Sequence, residues 1–211
     1  MAMTIQALEK TLKRAFPELR YSVDHERELI SVDIAREAYR SPEGKDGVTV
    51  GLELFEKGEY LELQCQWLYD ASQSAHRGAL SRLLLGVSLR TPLVQFSFDE
   101  ADGEVRATAE VVLADGSITP LQLKLMLTTL VGVIDAFHPH VVRAMETGEI
   151  SFPNEETIVR ATLADQSGDD VSLAAPLEIG EMLKALLAES RLRGRKMWED
   201  AAPKRSVGRH G

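Results

Sequence analysis

The sequence has little cysteine, no long uncharged apolar run and no leader-like start. One cysteine, Cys65, occurs in 211 residues, so an intramolecular disulfide is impossible and a reducing compartment is expected. Residues 1–16 carry charges every few positions, unlike a signal peptide or membrane anchor. The most apolar stretch, residues 121–137, is interrupted by Lys124 and Asp135. These absences predict a cytoplasmic protein that does not enter a membrane.

Motifs for cofactors, metals and catalysis are also missing. No glycine-rich phosphate loop and no dinucleotide fingerprint occurs in the sequence. His138 and His140 lack the three or four converging ligands of a zinc site and are expected to end a helix, where they complement its dipole. Cys65 lies on the apolar side of an alternating stretch and is interpreted as a buried, inert thiol. We therefore predict no cofactor, no metal and no catalytic residue.

Charge is distributed unevenly along the chain. The net charge is -9, but residues 191–211 hold seven basic and two acidic residues. The preceding 190 residues hold 17 basic and 31 acidic residues, which gives them a net charge of -14. An acidic body repels nucleic acid and anionic membranes, so we expect neither as a partner.

Periodicity predicts an α+β fold: an antiparallel sheet of about five strands flanked by helices, in the order α-β-β-β-α-β-β-α. A shorter strand at residues 21–23 is an open addition to this count. Helices are predicted at residues 4–16, 74–89 and 119–145. Strands are predicted at residues 29–35, 48–55, 60–69, 94–98 and 105–113.

The last two strands and the following helix carry the strongest local signals. The acidic stretch 99–104 contains Asp-Gly between two alternating segments, which is typical of a hairpin turn and lacks the ligand spacing of a calcium loop. Thr119, Pro120 and Gln122 form a capping box with proline in the first helical turn. The apolar residues of the helix that follows share one side, which is expected to lie across the sheet.

The chain is divided into a domain at residues 1–148 and a C-terminal extension at residues 149–211. Within the extension we expect a strand at 156–164, an amphipathic helix at 177–190 and a disordered basic end. Two arrangements of the tail stay open. The helix and the basic cluster both dock on the acidic body, or the helix docks and the end is free to bind a partner.

Helix 74–89 has apolar residues on two sides. Ala79, Leu80, Leu83, Leu84 and Val87 form one buried side, whereas Leu85 and Leu89 lie roughly opposite. The helix is therefore either buried on two sides within one domain or used for self-association. The candidate dimer-interface residues, taken from this helix and the strand after it, are Gly78, Ser81, Leu85, Leu89, Val94 and Phe96.

Two passages, "GEYLELQCQWLY" and the stretch from "VQFSF" to "AFHPHV", carry a resemblance to the YbjN family. At the level of fold the chain also resembles the type III secretion chaperones. The resemblance covers residues 4–145. It implies a compact bacterial α+β domain, usually a homodimer, that binds other proteins and catalyses nothing.

The sequence thus favours a non-enzymatic, dimeric, chaperone-like or regulatory module that binds a protein partner of unidentified type. The alternative is a small-molecule-binding or enzymatic α+β domain with an unrecognised carboxylate site. A polar pocket with strongly shifted carboxylates would favour the alternative, and a broad apolar surface would favour the first hypothesis.

Overall fold

A six-stranded antiparallel sheet forms the base of the fold in this computed structural model. The structure describes residues 2–91, 93–114 and 116–163, together with residues 184, 185, 188 and 189. Six strands lie within these residues: β1 (Tyr21–Asp24), β2 (Leu29–Ile34), β3 (Val48–Phe55), β4 (Tyr60–Asp70), β5 (Gln95–Phe98) and β6 (Glu104–Val112). Their spatial order is β1-β2-β3-β4-β6-β5, with every neighbouring pair antiparallel.

The strands form where the alternating pattern predicts them, because one face of the sheet is buried and the other is not. In β3 the burial of successive residues alternates with the period of two that a half-covered strand requires. The short segment at residues 21–23 is a strand, β1, which raises the number of strands from five to six. The fold class predicted from the sequence is confirmed.

Within residues 2–163, as far as they are described, four α-helices accompany the sheet: α1 (Ile5–Ala15), α2 (Arg77–Arg90), α3 (Pro120–Thr147) and α4 (Glu155–Leu163). The capping box at α3 is present, since the Thr119 hydroxyl accepts from the Gln122 backbone and the Gln122 side chain accepts from the Thr119 backbone. The left-handed Gly148 ends the helix. The capping box could be predicted from the sequence because it depends only on neighbouring residues.

Helix α3 is the centre of the core. Leu123, Leu127, Leu130, Ile134 and Phe137 are all 0% exposed. Within the part of the chain that the structure describes, α3 is the one helix long and apolar enough to cross a membrane, yet 72% of its most apolar 18-residue window is buried inside the fold. The helix is enclosed by its own domain, as in the core of a soluble protein.

The expectation that His138 and His140 end the helix is wrong. Helix α3 continues through Pro139 to Thr147. Proline removes one backbone donor from a helix interior, so the helix must be held there by its surroundings. Asp135 contributes to this, because its carboxylate accepts from the backbone of Ala38 at 2.9 Å and of Tyr39 at 2.8 Å. Tertiary contacts therefore outweigh the local cost of proline.

The strand expected at residues 156–164 is also wrong, since this segment is helix α4. Asn154 accepts from the backbone of Thr157 at 2.8 Å, as a residue capping a helix start does. The buried residues Ile158, Val159 and Thr162 have helical spacing. The β-branched composition suggested a strand, but the cap and the contact with α3 favour the helix.

The remaining expectations for the extension fall mostly outside the described residues. Of the helix expected at 177–190, the structure describes only residues 184, 185, 188 and 189, which are helical and exposed. The basic end at residues 191–211 lies entirely outside, so both arrangements of the tail stay open.

Burying a charge in α3 should destabilise the domain. Because Leu130 is 0% exposed, Leu130→Asp is expected to cost several kcal/mol, on the order of 3 or more, and to lower the melting temperature in circular dichroism. Leu121→Asp is the control, since Leu121 lies in the same helix but is 42% exposed. Equal melting of the two variants would contradict this packing of α3.

The contact between α3 and α4 depends on Gly132. A Cβ atom at this position would lie 2.5 Å from the Thr162 Cα, so Gly132→Ala should displace α4 and lower the melting temperature. Gly78→Ala is the matched control. A Cβ atom there meets nothing within 4 Å, and alanine in a helix should stabilise by about 0.5–1 kcal/mol. A Gly132→Ala variant at least as stable as the wild type would contradict the close crossing.

Candidate protein-binding surface

The inward side of α2 anchors the helix, and its outward side is exposed. Ala79, Leu80, Leu83, Leu84 and Val87 are buried, as the spacing predicts. On the outward side Leu85 is 72% exposed and Leu89 is 41% exposed. The described residues therefore do not bury the helix on two sides.

The other candidate interface residues have different surroundings. Gly78 is exposed, and the Ser81 hydroxyl donates to the Arg77 carbonyl at 3.1 Å. Phe96 is half-buried, whereas Val94 is 1% exposed and belongs to the core. The structure thus brings Gly78, Ser81, Leu85 and Leu89 together on the surface of α2 but encloses Val94.

Gly86, which the sequence analysis did not single out, allows Phe152 to pack closely on α2. A Cβ atom at Gly86 would lie 2.6 Å from the Phe152 ring, so this ring lies directly against the helix backbone. The guanidinium of Arg90 lies 3.8 Å from the centre of the same ring. The connection between α3 and α4 therefore covers one flank of α2 and leaves Leu85 outside.

Two further exposed apolar residues, Leu93 and Val112, lie outside α2. Leu93 is 41% exposed and has a φ of 74°, which is rare for a residue other than glycine. It lines a cavity of about 300 Å³ beside the end of β6 and the start of α3. Val112, at the rim of this cavity, is 73% exposed. We call Leu85, Leu89, Leu93 and Val112 the apolar strip.

Three carboxylates form a row on the open face of the sheet next to this strip. Glu53 lies opposite Glu62 across β3 and β4, and Glu62 lies opposite Glu110 across β4 and β6. Partial burial raises the pKa of Glu62, and the charges of Glu110 and Glu53 raise it further. We call these residues the glutamate row. Like charges directly opposite each other destabilise a sheet, and the charge of Arg106, which lowers the pKa of Glu62, offsets part of this repulsion.

A second cavity, of about 850 Å³, lies beside the irregular part of β4. Trp67, which lines it, is 49% exposed and has a φ of 49°; its backbone donates to the buried Glu104 at 3.0 Å. Two carboxylates of the lining have lowered pKa values, Glu43 through Lys45 and Asp70 through hydrogen bonds from Ser72. Lowered values indicate stabilised carboxylates and do not favour a general acid here.

The residues considered for metal or nucleophilic chemistry are dispersed. Cys65 is 1% exposed, and burial raises the pKa of its thiol. His138 stacks on Tyr69, whose hydroxyl lies 3.2 Å from the His138 Nδ1, and His140 lies 2.7 Å from the Ser151 hydroxyl. Among the described residues no group of three or more His, Cys, Asp or Glu side chains could hold a metal ion.

Burial of His138 should make stability depend on pH. Burial lowers the pKa of His138 below its ordinary value of about 6.5, so the unfolded chain binds a proton more readily than the folded one. The stability from the neutral ring is fully present above about pH 6.5 and is lost as the pH falls toward the folded pKa. Melting temperatures should therefore decrease from pH 7.5 to 5.5.

The decrease should be smaller in His138→Phe, which keeps an aromatic ring beside Tyr69 but cannot take up a proton. His25→Gln is the control, because His25 is exposed. An identical pH dependence in wild type and His138→Phe would show that His138 does not contribute.

One family model matches most of the described chain. The family model of YbjN, described as "Putative bacterial sensory transduction regulator", matches residues 6–143, from α1 into α3. Among solved structures the chain is similar to "Crystal structure of YbjN, a putative transcription regulator from E. coli". That similarity has 11% sequence identity and a TM-score of 0.44, and it covers 66% of this chain and 94% of that chain. No curated protein matches.

Proposed function

Since the chain belongs to the YbjN family, we propose that it is a non-enzymatic regulatory module that binds proteins and forms a homodimer through α2. The family description, a bacterial sensory transduction regulator, supports a regulatory role. Regulators of this kind act by binding, so an exposed apolar surface is expected to matter more than a reactive group. A chaperone-like activity in the cytoplasm is the finer form of this proposal.

The exposure of Leu85 carries the proposal. A leucine that is 72% exposed on a helix whose other side is fully buried leaves apolar area in water at a defined position. Leu89, one turn further along the same side of α2, adds to this area, and exposed apolar surface of this kind is typical of interaction sites. Leucine side chains gain about 1.5–3 kcal/mol each when they are fully removed from water. A second copy of α2 would cover Leu85 and Leu89 on both subunits.

The alternative function, small-molecule binding or catalysis, has the cavity beside Trp67 as its best support. The lowered pKa values of Glu43 and Asp70 argue against general acid chemistry there. Nucleic acid is not favoured as a partner, because a net charge of -14 in residues 1–190 opposes the counterion release that drives such binding. Protein binding is therefore the better supported function.

A charge in the apolar strip should separate the two copies. Leu85→Glu is expected to shift the mass measured by multi-angle light scattering from dimer to monomer. The melting curve should change little, because the side chain is exposed and the core side of α2 is untouched.

Leu121→Glu provides the matched control, since it places the same charge on an exposed leucine of another helix and should leave the dimer intact. A wild-type protein that is monomeric at micromolar concentration, or a Leu85→Glu variant that stays dimeric, would contradict self-association through α2.

A further inference from the structure

Strand β4 contains a bulge that exposes Trp67. Strict alternation would place Trp67 on the buried face of the sheet together with Leu63 and Cys65. The register with β6 shifts between Cys65 and Tyr69, so that three residues of β4 lie opposite one residue of β6. Such a bulge changes the direction of the side chains within it. Trp67 is accordingly 49% exposed, although its neighbours in the apolar pattern are buried.

The backbone groups of the bulge have side-chain partners. The N–H of Trp67 donates to the carboxylate of Glu104 at 3.0 Å, and Glu104 in turn forms an ion pair with Arg106. The Leu68 carbonyl accepts from the Tyr39 hydroxyl at 2.9 Å. Because Glu104 and Tyr39 are buried, both hydrogen bonds are shielded from water. The exposed position of Trp67 is therefore held by the surrounding fold.

Trp67 lines the cavity of about 850 Å³, whose volume is in the range of small-molecule sites. The charged part of the lining consists of one amine and four carboxylates: Lys45, Asp33, Glu43, Asp46 and Asp70. The lining therefore has a formal charge of -3. Asp46 forms an ion pair with Arg40 at 2.8 Å, and Glu43 forms one with Lys45 at 2.7 Å.

The other two carboxylates, Asp33 and Asp70, form no ion pair within the described residues. Asp33 accepts from the Thr49 hydroxyl at 2.6 Å, and Asp70 accepts from the Ser72 backbone at 2.8 Å. The hydrogen bonds from Ser72 lower the pKa of Asp70, and the charge of Arg77 contributes to this lowering. Both carboxylates therefore keep acceptor oxygens without a basic side chain in direct contact.

An exposed indole ring and carboxylates in one cavity favour an organic cation. The face of an indole ring attracts a cation, and carboxylates accept strong hydrogen bonds from charged N–H groups. The carboxylates do not converge as the ligands of one metal ion do, since among the described residues no group of three or more His, Cys, Asp or Glu side chains could hold one. An aliphatic molecule with separate cationic groups fits such dispersed charges better than a single ion.

We propose that the cavity beside Trp67 binds a small aliphatic amine or guanidinium compound, with one cationic group over the indole ring and further N–H groups directed at Asp33 and Asp70. The inference goes beyond the proposed function, because it adds a small-molecule site to a protein-binding module. Within the described residues no side chain of α2 lines this cavity, so the site is separate from the proposed dimer surface.

The test uses the full chain with Trp198→Phe, which leaves Trp67 as the single tryptophan of the sequence. Spermidine is titrated while the fluorescence of Trp67 is followed, and isothermal titration calorimetry gives the stoichiometry. We expect one spermidine per chain, with a dissociation constant of about 1 mM or lower that increases with salt. Octanediol, which is neutral, and suberate, which is anionic, have a similar length and should not bind.

Variants of the lining, measured by calorimetry, make the site specific. Trp67→Leu keeps an apolar side chain without a ring and should weaken binding about tenfold, whereas Trp67→Phe should weaken it less. Asp33→Asn and Asp70→Asn should each weaken binding about fivefold. Asp24→Asn is the matched control, because Asp24 is an exposed carboxylate that likewise accepts from backbone N–H groups but does not line the cavity.

Absence of spermidine binding, or equal binding to wild type, Trp67→Leu and Asp33→Asn, would overturn the proposal. A capped peptide with one lysine among glycines distinguishes the source of the cation. Binding of this peptide without binding of spermidine would assign the cavity to a side chain of a partner protein and would also overturn the proposal. The mass of the same samples in light scattering tests the dimer independently, so either inference can fail without the other.

Discussion

Burial of helix α3 is the constraint on which the rest of the structure depends. The sheet offers one apolar face, and α3 lies among that sheet, α1, α2 and α4, so its side chains are enclosed almost all round. This enclosure accounts for the close approach of α4 at Gly132 and for the docking of the chain near Tyr39 on Asp135. A helix surrounded in this way fixes the position of every element that contacts it.

The same constraint determines what is left at the surface. Because α2 buries one side against the core, Leu85 and Leu89 on the other side face water. Beyond the end of α2, Leu93 is also exposed, and it lines a cavity together with Val112 at the end of β6. The exposed residues of the apolar strip are therefore suited to binding, which requires no catalytic chemistry.

The sequence was informative where structure depends on local pattern. Alternation located the strands, and Thr119 and Gln122 located the start of α3, because these signals act between near neighbours. It failed at α4, where the contact with α3 decides the outcome, and in the expectation that His138 and His140 end α3. The glutamate row depends on the register of paired strands, which periodicity does not determine. The spacing of apolar residues in α2 correctly predicted which side of the helix is buried. The burial of Val94 depends on the tertiary fold and was not predicted.

The central claim is that the exposed side of α2 meets a second copy of itself. Pulsed electron–electron double resonance on the Arg82→Cys variant with a nitroxide label tests this most directly, because Arg82 is exposed on that side and Cys65 is too buried to react. The account predicts a dipolar coupling between two labels on different chains, which disappears when labelled protein is diluted with an excess of unlabelled protein. A concentrated, fully labelled sample without intermolecular coupling would contradict it.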